Sequence, residues 1–385
     1  MQPFSKPALQ RPDYSARQAK LAQLEVDVVA LVPSASLKYF TGLDFHLSER
    51  PIIVFLGDFG TGDFSSAAIV PELEMSRITA RDDLNMRCFP WRDEDGYEAA
   101  FQAALDGLEL TTSRLGVDGM TMRVTEYLEL QKLAPRLTMT PVERGLIAIR
   151  ARKDAAEITA LKQSIAISER ALHGLLAKLQ VGMTERDIAR VLADELTAEG
   201  SQQLSFAPLI QLGENSAFPH GNISDRALQD GDIVLIDFGG CYEDYPADIT
   251  RTVCFGEPPE GFTAMFDAVL AANLAAIEAT APGVPMQDLD RAARSVIEAA
   301  GYGQYFIHRT GHGLGLDVHE PIPQLAEGVI ELLEPGMVFT IEPGVYIPGI
   351  GGVRLEDDVC ITETGVDVLT QFPKRWQISS ISTVE

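Results

Sequence analysis

A pair of matching segments constrains the fold of this chain more than any other feature of its sequence. VGMTERDIARVLADELTAEG ends at Gly200 and APGVPMQDLDRAARSVIEAAG ends at Gly301. In both copies a glycine, an aspartate and the final glycine are separated by 5 and then 13 positions. Each copy has the pattern of a turn followed by a helix that a C-terminal glycine closes. The spacing predicts two related halves within one domain.

The match continues downstream of both helices, into strands that end in an acid. In GDIVLID, Asp237 lies six residues after a glycine, and in GMVFTIE, Glu342 lies six residues after another. A second strand follows in each half, ADITRTV with Asp248 and VRLEDDV with Glu356. We expect two helix–helix–hairpin halves that fold face to face. This arrangement would bring the four carboxylates to one pseudo-twofold centre.

The residues before the repeat have a different pattern, and 385 residues exceed a typical single core, so two domains are expected. A helix pattern over Tyr14 to Leu24 is followed by the strand-like runs VDVVALV, LKYFTGL and IIVFL. Helices are predicted around residues 97–105 and 125–133. We therefore predict an α/β N-terminal domain with a short sheet over residues 1–148. This domain contains neither a GxGxxG motif nor a phosphate-binding loop, so no nucleotide site is predicted there.

The second predicted domain covers residues 149–385 and contains the internal pseudo-twofold repeat. It begins with a long amphipathic helix from about Lys153 to Leu179. Its strands and helices follow one another in the order of an α+β fold.

Composition excludes several classes of function. A formal net charge of −25 argues against nucleic-acid binding, which needs a basic face. The sequence has no run of eighteen apolar residues, so no membrane span is predicted. The N-terminus lacks the apolar region of a signal peptide. The four cysteines have no paired spacing, which fits free thiols in a reducing cytoplasm. The acidic balance indicates either solubility or carboxylates that are clustered to hold cations.

The positions of the acids favour cation binding. Asp237 ends a strand that is apolar on both faces, where a buried, unpaired carboxylate costs several kcal/mol or more. Glu342 ends the equivalent strand. Arg251 and Arg354 are the only basic residues in the sequences of the two hairpins, so protein charge alone does not balance four acids. A pair of divalent metal ions does.

A histidine completes the predicted metal site. His312 lies in GHGLG, where glycines on both sides let the backbone approach closely. Four carboxylates and one imidazole suit Mn²⁺, Co²⁺ or Zn²⁺. Two bridging carboxylates would hold two ions roughly 3.5–4 Å apart, the spacing of two-metal hydrolytic sites. A water between the ions would then become hydroxide near neutral pH.

These residues resemble the metal site of the pita-bread metallopeptidases, peptidase family M24, which include methionine aminopeptidase, aminopeptidase P and prolidase. The flanking motifs DFGG…DITRTV, GHGLGLDVHE, TIEPGVY and GVRLED are similar too, and they cover roughly residues 150–370. The additional N-terminal domain resembles that of the prolidase, aminopeptidase P and creatinase branch. The resemblance implies a pita-bread catalytic domain, a metal-dependent peptidase activity and a homodimer.

The resemblance also implies a role for each residue. Asp237 would chelate one metal, His312 and Glu342 the other, and Asp248 and Glu356 would bridge. Glu342 would also carry a proton from the bridging water to the leaving nitrogen. The remaining candidates are His220 and His319, which would hydrogen-bond the scissile carbonyl, and Arg354, which would orient a ligand or contact the substrate carboxylate. Of the other residues in this region, His308 is interpreted as structural, with a place in the pocket wall as the alternative.

The substrate implied by the resemblance is an Xaa-Pro dipeptide or short peptide. A bond to proline has no N–H, and a site that holds the free amine and the carbonyl does not need one. Some archaeal prolidases have an arginine in a motif like HEWPR, whereas this chain reads HEPIPQ. The dipeptidase activity is preferred over the aminopeptidase activity, and Mn²⁺ over Co²⁺ and Zn²⁺.

Three alternatives remain open at this stage. A creatinase-like or ectoine-type hydrolase would cleave a small non-peptide C–N bond, although creatinase lacks the full ligand set. A lyase of dimethylsulfoniopropionate tends to have DxD at the first ligand, whereas this chain reads Asp237-Phe238-Gly239. A catalytically dead binding module would have lost ligands. His46 and Arg50, in FTGLDFHLSERP, are candidates either for contact with a partner subunit's site or for an ordinary surface loop.

Overall fold

The computed structural model describes residues 12–60, 64–219 and 221–378. The chain divides between Arg150 and Ala151 into two compact units, which are described separately.

The first unit alternates helices with the strands of one mixed sheet, whose order is β4-β3-β2-β1-β5-β6. Its strands are β1 (Val28–Leu31), β2 (Ile53–Asp58), β3 (Phe64–Pro71), β4 (Arg87–Trp91), β5 (Arg114–Val117) and β6 (Thr138–Pro141). Its helices are α1 (Tyr14–Ala19), α2 (Ala35–Thr41), α3 (Met75–Thr79), α4 (Glu98–Gly107), α5 (Val124–Leu133) and α6 (Glu143–Ala151). β1 pairs antiparallel with β2 and parallel with β5. The predicted α/β organisation is confirmed, with a wider sheet than expected.

The prediction for LKYFTGL is wrong, because this segment lies in helix α2 and not in a strand. Ser34 caps the helix by accepting a hydrogen bond from the amide of Leu37, and Gly42 ends it at φ 68°. Five of its seven residues are buried, Leu37 and Phe40 among them, so this apolar run belongs to a short helix that is covered on most of its surface. In the next loop, Arg50 forms ion pairs with Asp93 at 2.6 Å and with Glu49 at 2.8 Å. These contacts fit a surface loop and leave the alternative role at a partner subunit untested.

The second unit consists of two similar halves. The first half contains α7 (Ala155–Leu176), α8 (Glu185–Ala198), β7 (Leu209–Leu212), β8 (Asp232–Phe238), β9 (Cys241–Tyr242), β10 (Tyr245–Pro246) and β11 (Ile249–Phe255). The second half contains α9 (Phe262–Ala279), α10 (Met286–Ala299), β12 (Gly311–Gly313), β13 (Glu320–Leu325), β14 (Val338–Ile341), β15 (Gly344–Ile347), β16 (Gly351–Arg354), β17 (Asp357–Ile361) and β18 (Val366–Val368). Their sheets have the orders β11-β8-β7 and β13-β12-β14-β17-β18.

The predicted repeat corresponds to equivalent elements in the two halves. α8 and α10 are the helices of the two matching segments, and Gly200 and Gly301 follow them with φ of 99° and 86°. β8 pairs antiparallel with β11, and β14 pairs antiparallel with β17. The two hairpins are joined where β11 meets β17: the amide of Glu356 donates to the carbonyl of Thr250 at 3.1 Å. This junction holds the acidic ends of both hairpins together.

Helix α9 is long and apolar enough, by length and composition, to cross a membrane, with a mean hydropathy of 1.4. Its sequence contains Asp267 and Asn273, so no unbroken apolar run marks it. Phe262, Phe266 and Val269 of this helix are fully or almost fully buried in the core of the second unit. Packing inside the protein accounts for its apolar character.

Candidate metal centre

Two of the predicted ligands lie at the ends of buried strands. Asp237 is the penultimate residue of β8, a strand that has β7 on one side and β11 on the other. Glu342 directly follows β14, whose four residues are all buried. Both strands are apolar because sheets and helices cover them, so the acids at their ends emerge from the core into a cavity.

The other two carboxylates occupy matching positions on the second strand of each hairpin. Asp248 directly precedes β11, and Glu356 directly precedes β17. Both are buried, with exposed fractions of 4% and 2%. The amide of Asp248 donates to Asp358 at 3.2 Å, which fixes the backbone on one side of the centre.

His312 comes from the middle residue of the short strand β12. A side chain at Gly311 or Gly313 would collide with the carbonyl of Thr340 or of Ile322, so the imidazole stands between two positions that only glycine fits. Its Nδ1 lies 3.1 Å from the carbonyl of Gly313 and donates to it. Its Nε2 lies 3.6 Å from Asp248 and 3.5 Å from Glu342. The second nitrogen therefore presents a lone pair to the carboxylates, as a metal ligand must.

The five side chains form overlapping groups of three. Ligand atoms of Asp237, Asp248 and Glu356 all lie within 4.8 Å of one another, and so do those of His312, Glu342 and Glu356. Glu356 belongs to both groups. Asp248 also belongs to a third group, with His312 and the more exposed His319. Two adjacent positions that share carboxylates are the arrangement that a pair of ions requires.

The electrostatics of the centre show a deficit of positive charge. Burial, and then repulsion from neighbouring carboxylates, raises the pKa of Asp248 and of Glu356 well above the ordinary values. Burial raises the pKa of Glu342 to about 7, although Arg354 opposes the shift. Burial, followed by His319, lowers the pKa of His312 to about 3, which keeps its imidazole neutral. Four hard oxygen donors and one neutral imidazole therefore fit divalent ions and their charge.

Arg354 ties several of these groups together from β16. Its Nη2 donates to Asp237, its Nη1 donates to Tyr346 at 3.1 Å, and its Nε donates to Thr250 at 3.0 Å. Thr250 in turn donates to Glu356 at 2.6 Å. The guanidinium, with an exposed side-chain fraction of 5%, therefore orients one ligand directly and another through a hydroxyl.

The other arginine of the hairpins has a different function. Arg251 is 1% exposed and donates to Asp357 at 2.7 Å, and Lys374 contacts the same carboxylate at 2.7 Å. Burial raises the pKa of Asp357, but the two cations more than offset it, and the net shift is downward. Arg251 therefore balances Asp357; it also donates to the backbone carbonyl of Glu356 at 2.6 Å, but to no carboxylate of the predicted metal ligands within the described residues.

The centre opens into a cavity of ≈ 560 Å³, a volume typical of sites for small ligands. Phe206, Leu209, Pro219 and Val318 contribute apolar wall, and Arg309 contributes a second guanidinium. His319 also lines it, with its ring centroid 4.1 Å from that of His312. His220, the other histidine predicted to contact the scissile carbonyl, lies outside the described residues.

Tyr346 and His308 support the site in a way that the sequence did not predict. Tyr346 is buried and accepts from Arg354, while His308 Nε2 lies 2.9 Å from its hydroxyl. His308 also lines the cavity, so it is structural and part of the wall at once. Tyr346 stands in the motif TIEPGVY, but its contact with Arg354 depends on the pairing of β15 with β16, which the sequence does not reveal.

Residues 159–363 match metallopeptidase family M24, and residues 15–152 match the creatinase/prolidase N-terminal domain. An uncharacterised peptidase of Staphylococcus aureus is 40% identical over 355 residues, which are 92% of this chain and 97% of that protein.

Two solved structures are similar over nearly the whole chain. A prolidase from Thermococcus sibiricus has 31% identity and a TM-score of 0.88, with 96% of this chain and 100% of that chain covered. Dipeptidase PepE from Mycobacterium ulcerans has 33% identity and a TM-score of 0.86 at the same coverage. The pita-bread fold that the sequence predicted is thereby confirmed. The chain belongs to metallopeptidase family M24 and is a peptidase with an N-terminal domain of the creatinase/prolidase type.

Proposed function

We propose that this peptidase hydrolyses the peptide bond before proline, with dipeptides preferred over longer peptides. The observation that carries the proposal is the pair of three-ligand groups that share Glu356 at the base of a small cavity. The similarity to a prolidase and to a dipeptidase, each covered over its whole length, supports this substrate class.

Two divalent ions would be held by the predicted ligands. Asp237 would hold one ion, His312 and Glu342 the other, and Asp248 and Glu356 both; Mn²⁺ is preferred, with Co²⁺ and Zn²⁺ as alternatives. When bound, such ions polarise the scissile carbonyl and lower the pKa of water. The chemistry of the donor set supports the assignment, because four carboxylates and a neutral imidazole form overlapping groups of three whose ligand atoms lie within 4.8 Å of one another.

The protein's own residues would carry out the proton transfers and hold the substrate. Glu342 has 16% of its side chain exposed, towards the cavity, so it is placed to take a proton from the attacking water and pass it to the leaving nitrogen. His319 and His220 would donate hydrogen bonds to the carbonyl oxygen as it becomes an oxyanion. Arg354 would orient Asp237, because one of its N–H groups donates to this carboxylate while two others donate to Tyr346 and Thr250.

A substrate panel tests the proposal directly. The purified protein, supplied with Mn²⁺, Co²⁺ or Zn²⁺ in turn, is assayed with Xaa-Pro dipeptides, Xaa-Pro tripeptides, creatine and ectoine. Release of proline from dipeptides is expected. Turnover of creatine or ectoine alone would refute the peptidase substrate and favour hydrolysis of a small C–N bond. Metal analysis and a titration of the metal-free protein should both give two ions per chain.

We also propose that the protein works in the cytoplasm as a homodimer. The resemblance to its family supports the dimer, and the unpaired spacing of the cysteines supports a reducing compartment; the four thiols are free in the structure. Light scattering after size exclusion should give twice the mass of the 41.9 kDa chain.

A further inference from the structure

Two guanidinium groups line the catalytic cavity, and they differ in what they contact. Arg354 donates to Asp237, Tyr346 and Thr250, so each nitrogen of its guanidinium already has a partner in the protein. Three of its five N–H groups are thus engaged, and only 5% of the side chain is exposed, so little of it is accessible to a substrate carboxylate. Arg354, which the sequence offered as a candidate for substrate contact, is thus engaged with Asp237 and with residues that support the site.

Arg309 is half-buried and lines the same cavity, and its side chain differs from that of Arg354 in its contacts. Within residues 12–60, 64–219 and 221–378, no hydrogen bond, ion pair or ring contact involves its guanidinium. Its backbone, by contrast, is well anchored: His308 donates to its carbonyl at 2.7 Å, and the next residue, Thr310, is buried and donates to Asp290 at 2.7 Å. A rigid main chain therefore presents an uncommitted cation to the cavity.

The charge of Arg309 acts on the reacting groups. The Arg309 guanidinium, like Arg354, works against the burial that raises the pKa of Glu342, and it contributes to the lowered pKa of His312. In the protein loaded with two divalent ions, the four carboxylates are neutralised and both guanidinium groups remain. The cavity then attracts an anion, and a planar guanidinium with two parallel donors matches a carboxylate.

We propose that Arg309 binds the terminal carboxylate of the substrate's leaving residue and thereby sets a preference for dipeptides. This inference rests on the proposed function and extends it. The segment HEPIPQ, which begins with His319, contains no arginine. Arg309, three residues before His312, provides the cation instead.

The test compares three substrates that share one scissile bond: Ala-Pro, Ala-Pro-NH₂ and Ala-Pro-Ala. Only Ala-Pro has the carboxylate directly on the leaving proline, and the tripeptide carries it one residue further away. We expect kcat/KM for Ala-Pro to exceed that for the amide by about tenfold to a hundredfold, the range for a hydrogen bond to a charged group. Arg309→Gln should abolish this preference, mainly through KM, and Arg309→Lys should keep part of it.

Arg291→Gln is the matched control. It removes the same charge from the same unit, but Arg291 lies on the surface in an ion pair with Glu327 and contacts no ligand of the centre. Its substrate preference should equal that of the unaltered protein. An Arg309→Gln variant that keeps the preference, or that loses all three activities equally, would overturn the inference.

Binding of products separates this inference from the proposed function. Calorimetry with L-proline and L-prolinamide on the Mn²⁺-loaded protein should show weaker binding of proline to Arg309→Gln and unchanged binding of prolinamide. If no peptide is hydrolysed by any metal form, the proposed function fails, while a carboxylate effect in calorimetry would still support Arg309. If peptides are hydrolysed but Arg309→Gln binds proline normally, only the inference fails.

Discussion

Replacing Glu342 by glutamine should stabilise the metal-free protein while it destroys the activity. Burial raises the pKa of Glu342 from 4.5 to about 7. Because this carboxyl has a higher pKa in the folded than in the unfolded chain, the folded state loses stability as pH rises from about 4.5 to 7. A pKa difference of one unit corresponds to about 1.4 kcal/mol. The ionised side chain therefore lowers the free energy of unfolding by at most about 3 kcal/mol at pH 8. The figure is an upper limit because 16% of the side chain remains exposed to water. Glutamine has nearly the same shape and no charge to bury.

The assay is thermal unfolding of both proteins in the presence of a chelator. At pH 8 the variant should unfold several degrees above the unaltered chain, since 1 kcal/mol shifts Tm by about 2–4 °C in a unit of this size. The difference should shrink as pH falls towards 4.5, where both side chains are neutral. With Mn²⁺ present the order should reverse, because the variant has lost an anionic ligand. Peptidase activity should be lost at every pH.

Asp357→Asn is the matched control, because it removes another buried carboxylate one residue from a ligand. Arg251 and Lys374 hold the pKa of Asp357 below its usual value, so this carboxylate is favourable in the folded state. Its removal leaves buried cations without their partner and should lower the stability of the metal-free protein by about 3–5 kcal/mol. If Glu342→Gln also lowers stability at pH 8, the centre has no excess of negative charge and the electrostatic argument for the ions fails. If it remains active, Glu342 is not the proton carrier.

The remaining predictions concern the ions and their surroundings. The rise in Tm that Mn²⁺ produces should grow between pH 5 and 8, because the ions replace protons on carboxyls with raised pKa values; a flat profile would contradict this. Thr250→Val should weaken Mn²⁺ binding by about tenfold to a hundredfold in calorimetry, since it removes the hydrogen bond that orients Glu356. Lys153→Met should cost about 3–5 kcal/mol in urea unfolding, because Lys153 and Glu320 form a buried ion pair at 2.7 Å, and Glu320→Gln in the same chain should restore part of the loss.

The positions of the acids could be predicted because the neighbouring residues alone show that each carboxylate would be unfavourable to bury. An aspartate at the end of IVLI and a glutamate at the end of VFTI stand next to residues that must be buried, so each acid signals an unusual environment. The repeat then related one half to the other without knowledge of any contact. The glycines around His312 were informative for the same reason, since their neighbours allow no side chain.

Other features depend on contacts between distant segments, and local patterns do not contain them. LKYFTGL has the composition of a strand, but a cap at Ser34 and a glycine at position 42 select a helix. Strands β3 to β6 were not predicted; for two of them, β4 and β6, the reason is that they are partly exposed edge strands with little apolar pattern. Arg309 was not singled out from the sequence, because what distinguishes its guanidinium is that no side chain in the described ranges pairs with it, and only the folded chain reveals this.

The two halves differ in the residues that surround their equivalent acids. The matching strands supply Asp237 and Glu342 at equivalent positions, which by themselves would make the two ion positions alike. Between the strands of its hairpin, the first half has the short pair β9–β10, whereas the second half has the longer pair β15–β16, which carries Tyr346 and Arg354. Arg354 reaches back and donates to Asp237, whereas no guanidinium hydrogen-bonds Glu342 in the part of the chain that the structure describes, although both acids line the cavity. The insertion in one half thus gives two related acids different surroundings: the guanidinium fixes Asp237, and the absence of such a hydrogen bond at Glu342 among the described residues fits its proposed second role as proton carrier.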